Sequence, residues 1–139
     1  MSLRESRQVI VEQPSTTVTV ASTGDKKTFA IPFNCTVLRV GFIVTAAFTV
    51  TAAVIEFDRR PTPGSDTGRG AGDVGILTAP TAAQAIGRTL YDDVQVDLKG
   101  GEEVVVEVTT AATAGDGIPF LEIVPRAEEP ANDAEWISA

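Results

Sequence analysis

Histidine is absent from this chain, and cysteine, tryptophan and tyrosine each occur once. Without histidine, the commonest general base and the commonest metal ligand at neutral pH are missing. The single cysteine, Cys35, excludes an internal disulfide framework and a thiolate zinc cluster. Positive charge is scarce as well: 11 Lys and Arg stand against 19 Asp and Glu, for a net charge of −8. A dedicated nucleic-acid binder needs clustered basic residues against phosphates, so no nucleic acid is expected as a partner. No apolar run approaches the ~20 residues that cross a bilayer. The opening MSLRESRQVIVEQ has no apolar signal core before its first charges. The expectation is a soluble, non-secreted domain without a membrane partner. The 139 residues suit one domain, and 43% apolar content is enough to bury a core.

What is present is alternation. In CTVLRVGFIVTAAF, Leu38, Val40, Phe42, Val44, Ala46 and Phe48 fall on one face, with Arg39, Gly41, Ile43 and Thr45 on the other. Period two over that length predicts a long strand, and its apolar face makes it the central one. TAAVIEFD, DVQVDL and EEVVVEV repeat the pattern, and RQVIVEQ, TTVTV, KTFAI and GIPFLEIVP read as further strands. Val, Ile, Thr and Phe dominate them, as a half-buried pleated surface favours. Helical signal is confined to TAPTAAQAIGRTL, where a turn or two after Pro80 would end at Gly87. The segment from Arg59 to Gly75 is rich in Gly and Pro, has no apolar period, and is predicted as an exposed loop.

The expected fold class is all-β: an antiparallel β-sandwich, jelly-roll-like, with an extended N-terminal arm and an acidic C-terminal tail. Residues 1–14 form the arm or an edge strand, 15–126 the sandwich, and 127–139 the tail. An immunoglobulin-like sandwich is the alternative, but its Cys…Trp…Cys spacing is missing and the strand spacing is irregular.

Four features invite a chemical reading. In DLKGGEE, Lys99 stands where a calcium loop needs an oxygen ligand, and the glycines lead into a strand rather than a phosphate-binding helix. The reading is a tight corner, with Gly100 and Gly101 supplying positive φ and Asp97, Glu103 and Glu107 facing solvent. Gly68-Arg69-Gly70-Ala71-Gly72-Asp73 lacks the lysine and hydroxyl of a phosphate loop. Arg59, Arg60 and Arg69 nevertheless make that segment the least acidic part of the sequence, a candidate for docking on something acidic. Glu56 with Asp58, or Glu103 with Glu107, share a strand face. Alternation places them outward, where carboxylates are ordinarily solvated rather than catalytic. Cys35 lacks a histidine to activate it and reads as a half-buried structural residue. No catalytic residue, cofactor or metal is expected, and the chain is not expected to be an enzyme.

The order of segments carries a resemblance. FAIPFNCTVLRVGFIVTAAFTVTAAVIEFDRRP, from Phe29 to Pro61, is followed by a Gly-rich loop, then VQVDLKGGEEVVVEVT, then PFLEIVPR. Over residues 27–126 this resembles the jelly-roll capsid decoration, or cement, proteins of tailed bacteriophages. The resemblance implies a non-enzymatic virion protein on the outer capsid surface, made in the host cytoplasm. It would bridge neighbouring major capsid protein subunits, as a homo-oligomer with a trimer favoured. Candidate partner contacts, chosen on exposure and composition, are Leu3, Arg4 and Arg7 of the arm, Arg59, Arg60 and Arg69 of the loop, and Trp136 of the tail. The alternative function is a carbohydrate- or receptor-binding β-sandwich of a phage fibre.

Overall fold

The computed structural model describes residues 8–10, 17–81 and 83–126. The strands are β1 (Gln8–Ile10), β2 (Val18–Thr19), β3 (Gly24–Ala30), β4 (Cys35–Thr49), β5 (Val54–Arg60), β6 (Gly75–Thr78), β7 (Thr89–Leu98), β8 (Glu103–Thr110) and β9 (Ala114–Pro125). One sheet runs β2-β9-β4-β7, with β1 further along the same edge of β9; the other runs β3-β8-β5-β6. Every strand pairing is antiparallel. The chain changes sheet at every connection from β2 to β9 except β5 to β6. Two sheets, each four strands wide and wound in this order, make a jelly roll.

Strand β4 is central as the pattern predicts, lying between β9 and β7. Its inner face is not one unbroken alternation. A register shift between Val37 and Arg39 displaces Leu38, so Cys35 and Val37 point inward before the bulge and Val40, Phe42 and Val44 after it. Leu38, expected in the core, is half-buried instead. A bulge inserts one residue and moves all that follows to the other parity. Cys35 is fully buried rather than half-buried.

The core forms where Val37, Val40, Phe42, Val44 and Phe48 meet Phe29, Ile55, Phe57, Val104, Val106 and Val108 of the facing sheet. Phe42 and Phe48 pack edge to face at 5.9 Å. Each such side chain contributes about 1.5–3 kcal/mol by leaving water.

Three local readings change. No helix occurs among the described residues. Around Gln84 the backbone bonds to Phe48 in both directions, at 3.0 and 3.4 Å. A short Ala-rich stretch gains little from one helical turn, and pairing to β4 satisfies its backbone instead. β6 was hidden in the sequence because four residues with two large apolar side chains leave almost no period to read. At the 98–103 corner only Gly101 has positive φ, +92°. Gly100 is required for another reason: a Cβ there would meet the Phe33 backbone at 2.9 Å.

Candidate functional site

The segment predicted as an exposed loop begins later than expected and is not free. Arg59 and Arg60 belong to β5, and the chain beyond Pro61 folds back over the outer face of its sheet. Gly70 N–H donates to the Arg59 carbonyl at 3.0 Å, and Val74 N–H to the Phe57 carbonyl at 3.0 Å. Arg59 N–H donates to Asp73 Oδ1 at 2.7 Å. Gly72, at φ +67°, turns its N–H onto Asp58 Oδ1 at 2.6 Å. A side chain at Gly72 would be strained and would press on Ile76 and Glu56.

Arg69 lies at the centre of this cover. Its guanidinium donates to both oxygens of Asp25, at 2.7 and 2.9 Å, and through Nε and Nη2 to Asp58 Oδ2, at 3.1 and 2.9 Å. Asp66 at 3.1 Å and Glu107 at 3.3 Å complete the ring. β3, β5, β8 and the loop itself are thus tied to one cation whose side chain is 13% exposed. Asp58 is buried to 1% exposure although alternation puts it on the outer face. Val105, its cross-strand partner, is fully buried for the same reason: both lie on the outer side of a sheet that the loop covers.

Electrostatics follow from that crowding. The hydrogen bonds from Arg69 hold Asp25 below the usual carboxylate range, and chiefly those to Asp25 hold the guanidinium itself still more firmly charged. Glu56 and Glu107 shift upward, first by burial and then by the negative charge of Asp58. One carboxylate oxygen from each of Glu56, Asp58 and Glu107 falls within 4.8 Å of the others. Both Asp58 oxygens already accept hydrogen bonds, from Arg69 and Gly72. The depression beside them, about 290 Å³, is lined by Asp58, Asp66, Arg69, Gly70, Ala71 and Glu107. As built, the cluster neutralises an arginine and pins a loop.

The other two arginines are spent alike. Arg59 bonds Glu102 Oε2 at 3.0 and 2.8 Å, and Arg60 bonds Glu103 Oε1 at 2.9 and 2.6 Å. Glu103 also accepts the Gly64 N–H, which with Arg60 lowers its pKa, so it does not simply face solvent. The three arginines therefore form no surplus of positive charge. Sequence reasoning missed Glu102, which is 7% exposed and accepts the Lys99 N–H at 2.7 Å, closing the KGGE corner from inside. It also missed Asp25, 44 residues from Arg69, for which no local pattern gives a signal. Leu3, Arg4, Arg7 and Trp136 lie outside the described residues.

A second concavity, about 360 Å³, runs between the free edges of β6 and β7, lined by Ile76, Leu77, Pro80, Leu90 and Tyr91 among others. Tyr91 is 55% exposed, with the Arg39 guanidinium 4.2 Å from its ring centre.

No family model matches the chain, and no curated protein matches it. Among solved structures it is similar to the Eiger TNF from S. frugiperda: 13% identity and a TM-score of 0.40, over 89% of this chain and 88% of that one.

Proposed function

We propose that this chain is a non-enzymatic structural protein of a virion, binding the outer surface of a phage capsid and bridging neighbouring major capsid subunits as a homo-oligomer, a trimer. The observation that carries the reading is the pinned loop. Among the described residues, the longest excursion from the sandwich is fastened to three strands through Arg69 and does not hang free as a lid. A stiff two-layer body of this kind resists deformation, and many copies on a repeating surface gain occupancy through multivalency without strong single contacts.

The test is to mix the purified chain with undecorated heads of the same virus, sediment them and measure occupancy. Saturable binding with heads more resistant to heat is the expected result; absence of co-sedimentation removes the proposal. The carbohydrate-binding alternative draws on the β6–β7 groove and Tyr91. A glycan array that finds a ligand lost in Tyr91→Ala would favour it.

A further inference from the structure

The two ends of the sandwich differ in charge more than the composition would lead one to expect. At one end the connections β2–β3, β4–β5, β6–β7 and β8–β9 come together. Ala112 N–H donates to the Val20 carbonyl, Thr113 N–H to Thr49, and Ala79 N–H to Ala53, each at 2.9–3.0 Å. Residues 20–24, 44–55, 74–87 and 108–115 supply these connections and the strand ends beside them. None of these is Asp, Glu, Lys or Arg, in a chain with 22% charged residues. Charges reach this end at Arg88, the exposed last residue of the β6–β7 connection, and at Lys26, whose ammonium donates to Ser22 Oγ at 2.7 Å. The exposed members of the four stretches are mainly Ala, Thr and Ser, with Pro80. Two large aliphatic side chains project from this plain surface, Val50 at 74% exposure and Ile86 at 70%.

Val50 carries a second signal. It has φ +70°, the one non-glycine residue with positive φ among the described residues. The Thr51 N–H closes back on the Thr49 carbonyl at 2.9 Å, so Val50 is the apex of a three-residue turn. A β-branched residue in that conformation is strained, and glycine would fit there without strain. Nothing in the fold is gained by placing valine at the exposed tip, since its side chain faces water. An apolar residue held at a strained, exposed apex points to an occupant outside the chain.

We propose that this charge-poor end, with Val50 and Ile86 as its anchors, is the face that docks onto an apolar patch of a protein shell; the proposal rests on the capsid-binding reading and says which end of the molecule meets the capsid. Charge argues for that occupant. The molecule carries net charge −8, and its Arg59, Arg60, Glu102 and Glu103 pairs gather at the opposite end. Burying that end would strip water from ion pairs at a cost that seldom returns in affinity. The plain end brings few charges, Arg88 and Lys26 among them, and no ion pair among the described residues, so it meets an apolar surface with less desolvation, as the cores of interfaces are depleted of charge.

The experiment uses the full chain and undecorated heads. Val50→Asp and Ile86→Asp each place a charge on this end; Lys99→Gln, the same change in net charge at the opposite end, is the comparison; Val50→Gly relieves the strained turn while deleting the anchor. Expected are at least about tenfold weaker occupancy for the two aspartate variants, unchanged occupancy for Lys99→Gln, and reduced occupancy for Val50→Gly with an unchanged or higher melting temperature. Wild-type heads saturating while all variants saturate equally would overturn this inference and leave the capsid reading standing. No binding by the wild type would overturn both. Light scattering that shows Val50→Asp dissolving an oligomer, with occupancy unchanged, would assign the end to contacts between copies and overturn docking.

Discussion

The two ends of this jelly roll solve the same problem by different means. At the charged end, connections are held by side chains: Arg69 to four carboxylates, Arg59 to Glu102, Arg60 to Glu103, and Glu102 to the Lys99 N–H. At the plain end, connections are held mainly by backbone, each loop bonding its neighbour's main chain, with uncharged side chains such as Gln84 and Thr19 adding bonds to the Thr81 and Gly115 carbonyls. The lesson is that a long connection, from Pro61 to Val74, needs side-chain anchors because it has little sheet of its own to pair with. Short connections between long strands inherit their hydrogen bonds from the sheet and leave their side chains available.

The largest break in this comparison comes from Arg69→Ala. It leaves Asp58 buried and without its cation, and should lower stability by about 3 kcal/mol. That is a fall of roughly 10 °C in melting temperature for a domain of this size. Hydrogen exchange should report opening at Gly70, Gly72 and Val74, whose amides face β5. A loss under about 1 kcal/mol would mean that the network decorates the loop and backbone bonds hold it. Next in size, Glu102→Ala removes the acceptor for Lys99 N–H and the partner of Arg59, and should cost about 2 kcal/mol by chemical denaturation. A neutral result would show that water replaces that acceptor.

Acidity sharpens the contrast, because the carboxylates with shifted pKa values belong to the networks around Arg69 and Arg60. Glu56 and Glu107 have folded pKa values raised above the unfolded ones, so their contribution favours the fold at low pH and is lost as pH rises through the raised values. Asp25 and Glu103 are depressed, so theirs is present above the ordinary carboxylate range and lost as pH falls through the lowered values. The melting temperature should rise as pH falls from neutral toward the ordinary carboxylate range and drop again below that range. Glu107→Gln should flatten the first limb, and an unchanged first limb in that variant would remove Glu107 from the account. The smallest effect has the opposite sign. Val50→Gly should raise stability by about 0.5 kcal/mol, relief of the turn being partly offset by the backbone entropy of glycine. A loss greater than about 1 kcal/mol would show that Val50 supports the fold.

Most of the strand inventory could be read directly. Alternation in CTVLRVGFIVTAAF, TAAVIEFD and EEVVVEV located β4, β5 and β8 and the inward set Val40, Phe42, Val44, Ile55, Phe57, Val104, Val106 and Val108. What failed did so where a non-local contact overrode a local pattern. Leu38 lost its place to a bulge set by pairing with β9 and β7. Gln84 left any helix to bond Phe48. Asp58 and Val105 appeared solvent-facing because nothing local reveals that a loop many residues away covers them.

The amino-acid order by itself determined that this chain forms strands and which side of most of them is apolar, because the pleat repeats every two residues and hydrophobic burial reads that period directly. Only the tertiary structure decided that three arginines would be neutralised, that the glycine-rich loop would bond back to β5, and that the charge-poor connections would gather at one end. Those outcomes depend on which residues meet across a folded sheet, and a linear sequence carries that information only once the register is fixed.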